Sequence, residues 1–213
     1  MAAQQLNCRQ QYFPHADVTR IRGKPRFETL YTLHTEIKAN AASVPSALGG
    51  GQHGHLGLVL EPRAYQRISL TAFLLPADPG ALPPIDPSMT WNQVQATRLL
   101  HNDQRAAFDK VQTVQSALKQ QISEAIEHEY LRDMEHPVSK TIEAPLYVIF
   151  ASLFEKYGKI TKRDLLEKFN ELTQYNYDPT RLPDSVFNKI DEYEKIASHA
   201  KSPITPPQKI DIG

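Results

Sequence analysis

The sequence predicts an all-α protein of two small helical lobes, and three observations predict it. Apolar residues recur at three- and four-residue spacing along most of the chain, the period of a helix with one buried face. Thr90-Trp-Asn-Gln93 matches a capping box ahead of one very long apolar stripe. A break at Glu135-His136-Pro137 then separates this stripe from a second set of helical patterns, because proline disfavours helix in the residue before it. At 213 residues the chain has room for two domains of roughly 100 residues, each able to bury a modest core.

In order along the chain, residues 1–20 are polar without sustained period and are expected to form a flexible arm, with order beginning near Ile21. The N-terminal lobe is expected over 21–135. Phe27, Leu30, Tyr31, His34 and Ile37 predict a first helix opened by Pro25, whose missing N–H suits a first helical position, and closing near Asn40 or Ala42. A short helix follows from Pro62, and five prolines between Leu74 and Pro87 demand an extended connection. From Thr90, the stripe Leu100, Ala107, Phe108, Val111, Val114, Leu118, Ile122, Ala125, Ile126 and Tyr130 predicts a helix of about 40 residues and ~60 Å, with a kink expected at His101-Asn102-Asp103.

The C-terminal lobe is expected over 136–213. Ser139 or Thr141 would cap its first helix, which carries Leu146, Ile149, Phe150, Leu153, Phe154 and Tyr157 and ends at a left-handed Gly158. Thr161 starts another with Leu165, Leu166, Phe169 and Leu172. A third, from about Pro183 to His199, is expected to bury Val186, Phe187, Ile190 and Tyr193. Thr205-Pro206 opens a helix that the sequence does not finish, so the lobe is expected to be truncated.

More than half of the nine glycines fall in Ser46-Ala-Leu-Gly-Gly-Gly-Gln-His-Gly-His-Leu-Gly-Leu-Val-Leu60. Glycine reaches backbone angles closed to other residues and lets another surface approach. With Leu56, Leu58, Val59 and Leu60 following, the stretch reads as a packed turn or short hairpin, with Gly49, Gly50, Gly51, His53, Gly54, His55 and Gly57 as its structural residues. His53 and His55 could serve one zinc or copper ion if further ligands came from elsewhere, but no third ligand is apparent. They read instead as capping groups for backbone carbonyls. The turn lacks the Gly-Lys-Ser/Thr ending of a phosphate loop.

Formal charge is zero, 24 basic against 24 acidic residues, which excludes a global basic field for nucleic acid. The densest local cluster is Arg20, Arg22, Lys24 and Arg26, the candidate nucleic-acid contacts. Cys8, the single cysteine, excludes an intramolecular disulfide and any CxxC or CCHC zinc site, and a reducing compartment is expected. No run reaches the roughly 18 apolar residues of a membrane span, and the polar start has no signal-peptide core. A soluble, cytoplasmic protein without membrane contact is expected. The carboxylates Glu124, Glu127 and Glu129, and Asp191, Glu192 and Glu194, read as solvated helix faces. No nucleophile elbow, kinase set or zinc-protease motif is present, so no enzyme, cofactor or metal is expected.

Several pieces together resemble the Gag-like proteins of copia-type LTR retrotransposons: Ile21-x-Gly23-x-Pro25-x-Phe27-x-x-Leu30; Asn40-Ala-Ala-Ser-Val-Pro45 leading into the glycine–histidine piece to Leu60; Ala117-Leu-Lys-Gln-Gln-Ile122; Leu153-Phe-x-x-Tyr-Gly158-x-Ile-Thr161 with Asp164-Leu165; and Tyr177-Asp-Pro179 with Val186-Phe-x-x-Ile-Asp191. The resemblance spans roughly residues 20–213. It implies a capsid protein of two helical lobes that associates with itself into particles packaging the element's RNA. One cysteine leaves no CCHC knuckle, so the chain would be a knuckle-less form or the front part of a longer Gag or Gag-Pol, with the element's RNA contacted through regions outside this chain. The alternative function is a non-enzymatic helical adaptor that binds nucleic acid or a protein through Arg20–Arg26.

Overall fold

The computed structural model describes residues 2–174 and 184–199. The chain is all-α: the described residues form eight helices, three short 3₁₀ turns and no strand beyond one isolated bridge between Glu135 and Ile142. Contacts divide it into two compact units, Met1–Pro25 with Thr29–Ser152, and Arg26–Glu28 with the described residues from Leu153 on. The border at Ser152 lies inside a helix and not at His136-Pro137, because the segment after the proline break packs with what precedes it.

The first unit opens with α1 (Ala2–Tyr12), where the sequence suggested a flexible arm. Helix α1 packs along α4 (Trp91–Ala125), burying Cys8, and Phe13 follows it into the core. Arg9 ties the pair together through a two-pronged contact with Glu124, at 2.8 and 3.2 Å. Helix α2 (Phe27–Ser43) starts two residues after Pro25, which is buried ahead of the helix and does not open it. Leu30, Leu33, Ile37 and Ala41 of α2 are fully buried, each of the larger three contributing about 1.5–3 kcal/mol over an exposed position.

The Thr90 capping box is present, with the Thr90 N–H donating to Gln93 Oε1 at 2.8 Å, and α4 runs unbroken through His101-Asn102-Asp103. It ends at Ala125, earlier than its stripe suggested, because Ile126 turns to extended angles and drops its side chain into the core. The buried positions of α4, Val111 to Ala125, all lie in its C-terminal half. Its first twenty residues have no buried position, and Leu99 and Leu100 are 63% and 60% exposed.

Between α3 (Pro62–Gln66) and α4 runs the expected proline-rich segment, extended and mostly exposed. It is tied to α4 at one place, where the Gly80 carbonyl accepts from His101 Nε2 (3.2 Å) and from the Arg105 guanidinium, and Arg105 pairs with Asp78 at 3.1 Å. The short α5 (His128–Leu131) and the loop after it lead to α6 (Leu146–Tyr157). Ser139 and Thr141 bond to each other at 2.7 Å and do not cap that helix; Lys119 holds the loop by donating to the carbonyls of Ile142 and Glu143. Leu146, Ile149 and Phe150 complete the core of the first unit.

In the second unit, Thr161 and Asp164 form a reciprocal capping box at the start of α7 (Lys162–Thr173), with bonds of 2.7 and 3.2 Å. The Thr161 N–H and its hydroxyl, donating to the Asp164 carboxyl at 2.7 and 2.8 Å, hold that carboxyl below its usual pKa. Helix α7 packs on α8 (Asp184–His199) through Phe169 and Tyr193, ring centres 5.9 Å apart. Leu153, Leu172, Ile196 and Ala197 are buried, and Phe27 lies 5.8 Å from Phe154. Gly158 does end α6 but without a left-handed angle; Phe154 crowds it, 2.8 Å from where a β-carbon would stand. Phe187 is 63% exposed and Leu166 59%, so neither is the core residue its spacing suggested. Pro183, Tyr177-Asp-Pro179 and Thr205-Pro206 lie outside the described residues.

Candidate functional site

The glycine-rich stretch folds into two 3₁₀ turns, Leu48–Gly50 and Leu56–Leu58, and not a hairpin. All of its candidate residues come together in the first unit; contact is the reason for glycine at 49, 54 and 57, and a positive φ at Gly50 and Gly51. A β-carbon on Gly54 would stand 2.2 Å from the Ala42 carbonyl oxygen and 2.5 Å from that of Val44, with φ at +52°. On Gly49 it would meet the Tyr65 ring, and on Gly57 the Phe73 ring at 2.2 Å. The turn thus closes over the end of α2 and clasps Tyr65, whose hydroxyl donates to the Gly49 carbonyl at 3.0 Å. Ser69 adds a second bond to that carbonyl, at 2.8 Å.

Both histidines serve this joint. His55 is 1% exposed; its N–H donates to the Ala41 carbonyl at 2.9 Å and its ring Nδ1 sits 3.0 Å from the Val44 carbonyl. A carbonyl only accepts, so Nδ1 carries the proton and the ring is the neutral Nδ1–H tautomer. Burial, opposed in part by the Val44 bond, lowers its pKa. His53 points its Nε2 at the Ile68 carbonyl, 3.1 Å away, and meets Tyr65 edge-on. Among the described residues no three His, Cys, Asp or Glu side chains are grouped to hold a metal.

Residues 13–25 run from α1 to α2 as a strap held at several points. His15 N–H donates to Asn40 Oδ1 (2.9 Å), while Asn40 Nδ2 and Gln121 Nε2 both donate to the His15 carbonyl. Thr19 bonds Glu36 twice, Ile21 N–H reaches the Ala125 carbonyl at 2.7 Å, and Gly23 N–H reaches Glu127 at 2.8 Å. Alternation along the strap buries Ile21 and Pro25 and exposes Arg20, Arg22 and Lys24. Arg26 belongs to the second unit, where its charge helps lower the Asp164 pKa. Structure therefore brings three of the four cations onto one strap. Glu36 and Glu127 anchor the same strap, and Glu124, paired with Arg9 of α1, is close enough to Arg20 to feel its charge, so carboxylates offset part of the local positive charge and Glu124 and Glu127 are more than solvated charges.

A cleft of about 460 Å³ between α1 and α4 is lined by Asn7, Cys8, Gln11, Lys110 and Thr113 among others. Burial raises the Cys8 pKa, which keeps the sulfur protonated and poorly nucleophilic. No described helix is long and apolar enough to cross a membrane.

The feature that spacing alone missed is the outer surface of residues 68–100. Among the described residues it holds ten of the fourteen exposed large apolar side chains, including Leu74, Leu75, Trp91, Leu99 and Leu100. Helical period marked Leu100 as apolar-facing, but not that the described residues leave it 60% exposed. Comparisons with family models, curated proteins and solved structures give no match to the chain.

Proposed function

We propose that the chain is a non-enzymatic, Gag-like structural protein that associates with itself in the cytoplasm into particles packaging retrotransposon RNA. One observation carries the reading: the residues of the copia Gag resemblance that fall between Ile21 and Asp164 serve backbone geometry and packing. Ile21, Pro25 and Leu30 are buried, Gly23 takes φ +72°, and Asn40 holds the strap. Gly54 and His55 close the joint over α2, Ala117, Leu118 and Ile122 fill the core, and Thr161 and Asp164 cap α7. A pattern used for shape and not for reactive groups is what a building block requires. Two compact helical units, with ten exposed large apolar side chains within residues 68–100, support the same reading.

The test is purified protein at rising concentration, with and without single-stranded RNA, followed by light scattering and negative-stain microscopy. Concentration-dependent particles are expected. A chain that stays monomeric under all these conditions, and that binds RNA tightly through Arg20, Arg22 and Lys24, would favour the adaptor function instead.

A further inference from the structure

We propose that Leu82-Pro83-Pro84-Ile85-Asp86-Pro87 is a docking ligand: a polyproline II strip, presented ready-made on the first unit, for a partner protein module whose groove is walled by aromatic side chains and flanked by a cation. The proposal goes beyond the self-association reading, because it needs one copy of the chain and no particle.

Prolines set the strip's shape before any partner arrives. Pro83, Pro84 and Pro87 fix φ near about −65°, and each proline pushes the residue before it toward extended angles, so Leu82 and Asp86 are restricted as well. Only Ile85 keeps ordinary freedom. Residues 82–86 accordingly carry no helix, turn or bridge. Polyproline II repeats every three residues, which aligns Leu82 with Ile85 along one edge and Pro84 with Pro87 along the next. Every residue from 81 to 90 is exposed, and residues 81–85 make no hydrogen bond to any described residue. The carbonyls of Leu82–Ile85 are therefore open to outside donors.

Both ends of the strip are fastened by the chain itself. Upstream, the Asp78 carboxylate accepts from the Gly80 N–H at 2.9 Å, and His101 and Arg105 of α4 hold the Gly80 carbonyl. Downstream, Asp86 Oδ1 accepts from the Ser88 N–H and hydroxyl, each at 2.8 Å, and the Met89 N–H closes a turn on the Asp86 carbonyl at 3.0 Å. The Thr90 capping box then starts α4. A ligand held at both ends and stiff between them loses little freedom on binding, the condition under which a short contact gives useful affinity.

Charge selects the kind of partner. No lysine or arginine lies between Ile68 and Met89, and Asp78 is already paired with Arg105. Asp86 is the charge left to the strip, and its Oδ2 is bonded to no described residue. Nucleic acid is disfavoured, since nothing in the strip meets a phosphate. A stiff, proline-edged strip with open carbonyls fits an aromatic groove, where rings pack on the proline faces and their N–H or O–H groups donate to the carbonyls. A lysine or arginine beside that groove pairs with Asp86.

The experiment titrates a panel of purified WW and SH3 domains, both readers of polyproline II, into the full-length chain by calorimetry, up to about 1 mM domain, the weak end of specific association. At least one domain with a basic residue beside its groove is expected to bind one to one. Pro83→Ala with Pro84→Ala should weaken that binding about fivefold or more, because it removes both the ring faces and the stiffness. Pro76→Ala with Pro79→Ala, upstream of the strip, should leave it unchanged. All four positions lie outside the helices and the core, and circular dichroism checks that helix content is kept. If no domain binds the parent in this range, or the Pro83→Ala, Pro84→Ala chain binds as the parent does, the proposal fails. A double variant that instead loses self-association in sedimentation, with no domain bound by the parent, assigns the strip to a contact between copies and also overturns it.

Discussion

Asn40 of α2 and Gln121 of α4 share a 2.9 Å hydrogen bond at zero solvent exposure, and both also hold the His15 carbonyl. The two side chains lock the strap to both helices through a fully buried bond to each other and part-buried bonds to His15. Removing either partner strands buried polar groups, so Asn40→Ala and Gln121→Ala should each cost about 1–3 kcal/mol. Because they form one network, the double variant should cost less than the sum. Urea unfolding of the four proteins checks this, and strict additivity would show that the strap is held elsewhere.

The glycine turn makes a sharper contrast. Gly50 has φ +85° but nothing nearer than 3.4 Å to a β-carbon, whereas Gly54 has φ +52° and two carbonyl oxygens within 2.5 Å. Asparagine tolerates the left-handed region, so Gly50→Asn should cost under about 1 kcal/mol. Gly54→Asn adds a collision with backbone that cannot move without unwinding the end of α2, and should cost at least about 2 kcal/mol. Thermal melts of the two variants compare them directly; equal losses would mean that conformation alone, not contact, selects glycine here.

Local signals were legible in the sequence and distant ones were not. The α4 cap, the α7 cap and the glycine turn each rest on residues within a few positions of one another. Helix α1 was missed because Ala2–Tyr12 is rich in Gln and other polar residues and carries no apolar period, although Ala, Gln, Leu and Arg are good helix formers. The partners of the turn, Tyr65, Ser69 and Phe73, and the pairing of Asn40 with Gln121 arise from segments far apart in sequence. Exposure of Leu99, Leu100 and Phe187 was hidden for the converse reason: period reports which face is apolar, not what lies on it. The unit border inside α6 follows from long-range contacts alone.

His34 supplies a pH prediction. Its ring stacks on Phe150 with centres 4.3 Å apart, and burial, aided by the Lys38 charge, lowers its pKa from 6.5 to about 4. Between these values the unfolded chain binds the proton and the folded chain does not, so stability is full above pH 6.5 and falls as pH drops toward 4. The loss should reach on the order of 2–3 kcal/mol. His55, also lowered by burial, acts in the same direction. A His34→Leu variant should lose most of this slope in urea melts between pH 7 and pH 4, and an unchanged slope would place its source elsewhere.

The strap cations make the final prediction. Arg20, Arg22 and Lys24 are exposed on a fixed backbone, but Glu36 and Glu127 anchor that same backbone, Glu124 lies near Arg20, and these carboxylates reduce the field that phosphates would meet. Single-stranded RNA should therefore bind weakly, with a dissociation constant of about 10⁻⁵ M or higher at physiological salt. Three contacts give a salt slope of about 2, at roughly 0.7 per contact on a single strand. Arg22→Ala with Lys24→Ala should bring the slope below about 1, since two of the three contacts are gone while the strap keeps its bonds. Fluorescence anisotropy over a salt series measures it. A slope that stays near 2 in the double variant would move the RNA contact off this strap and onto some other part of the chain.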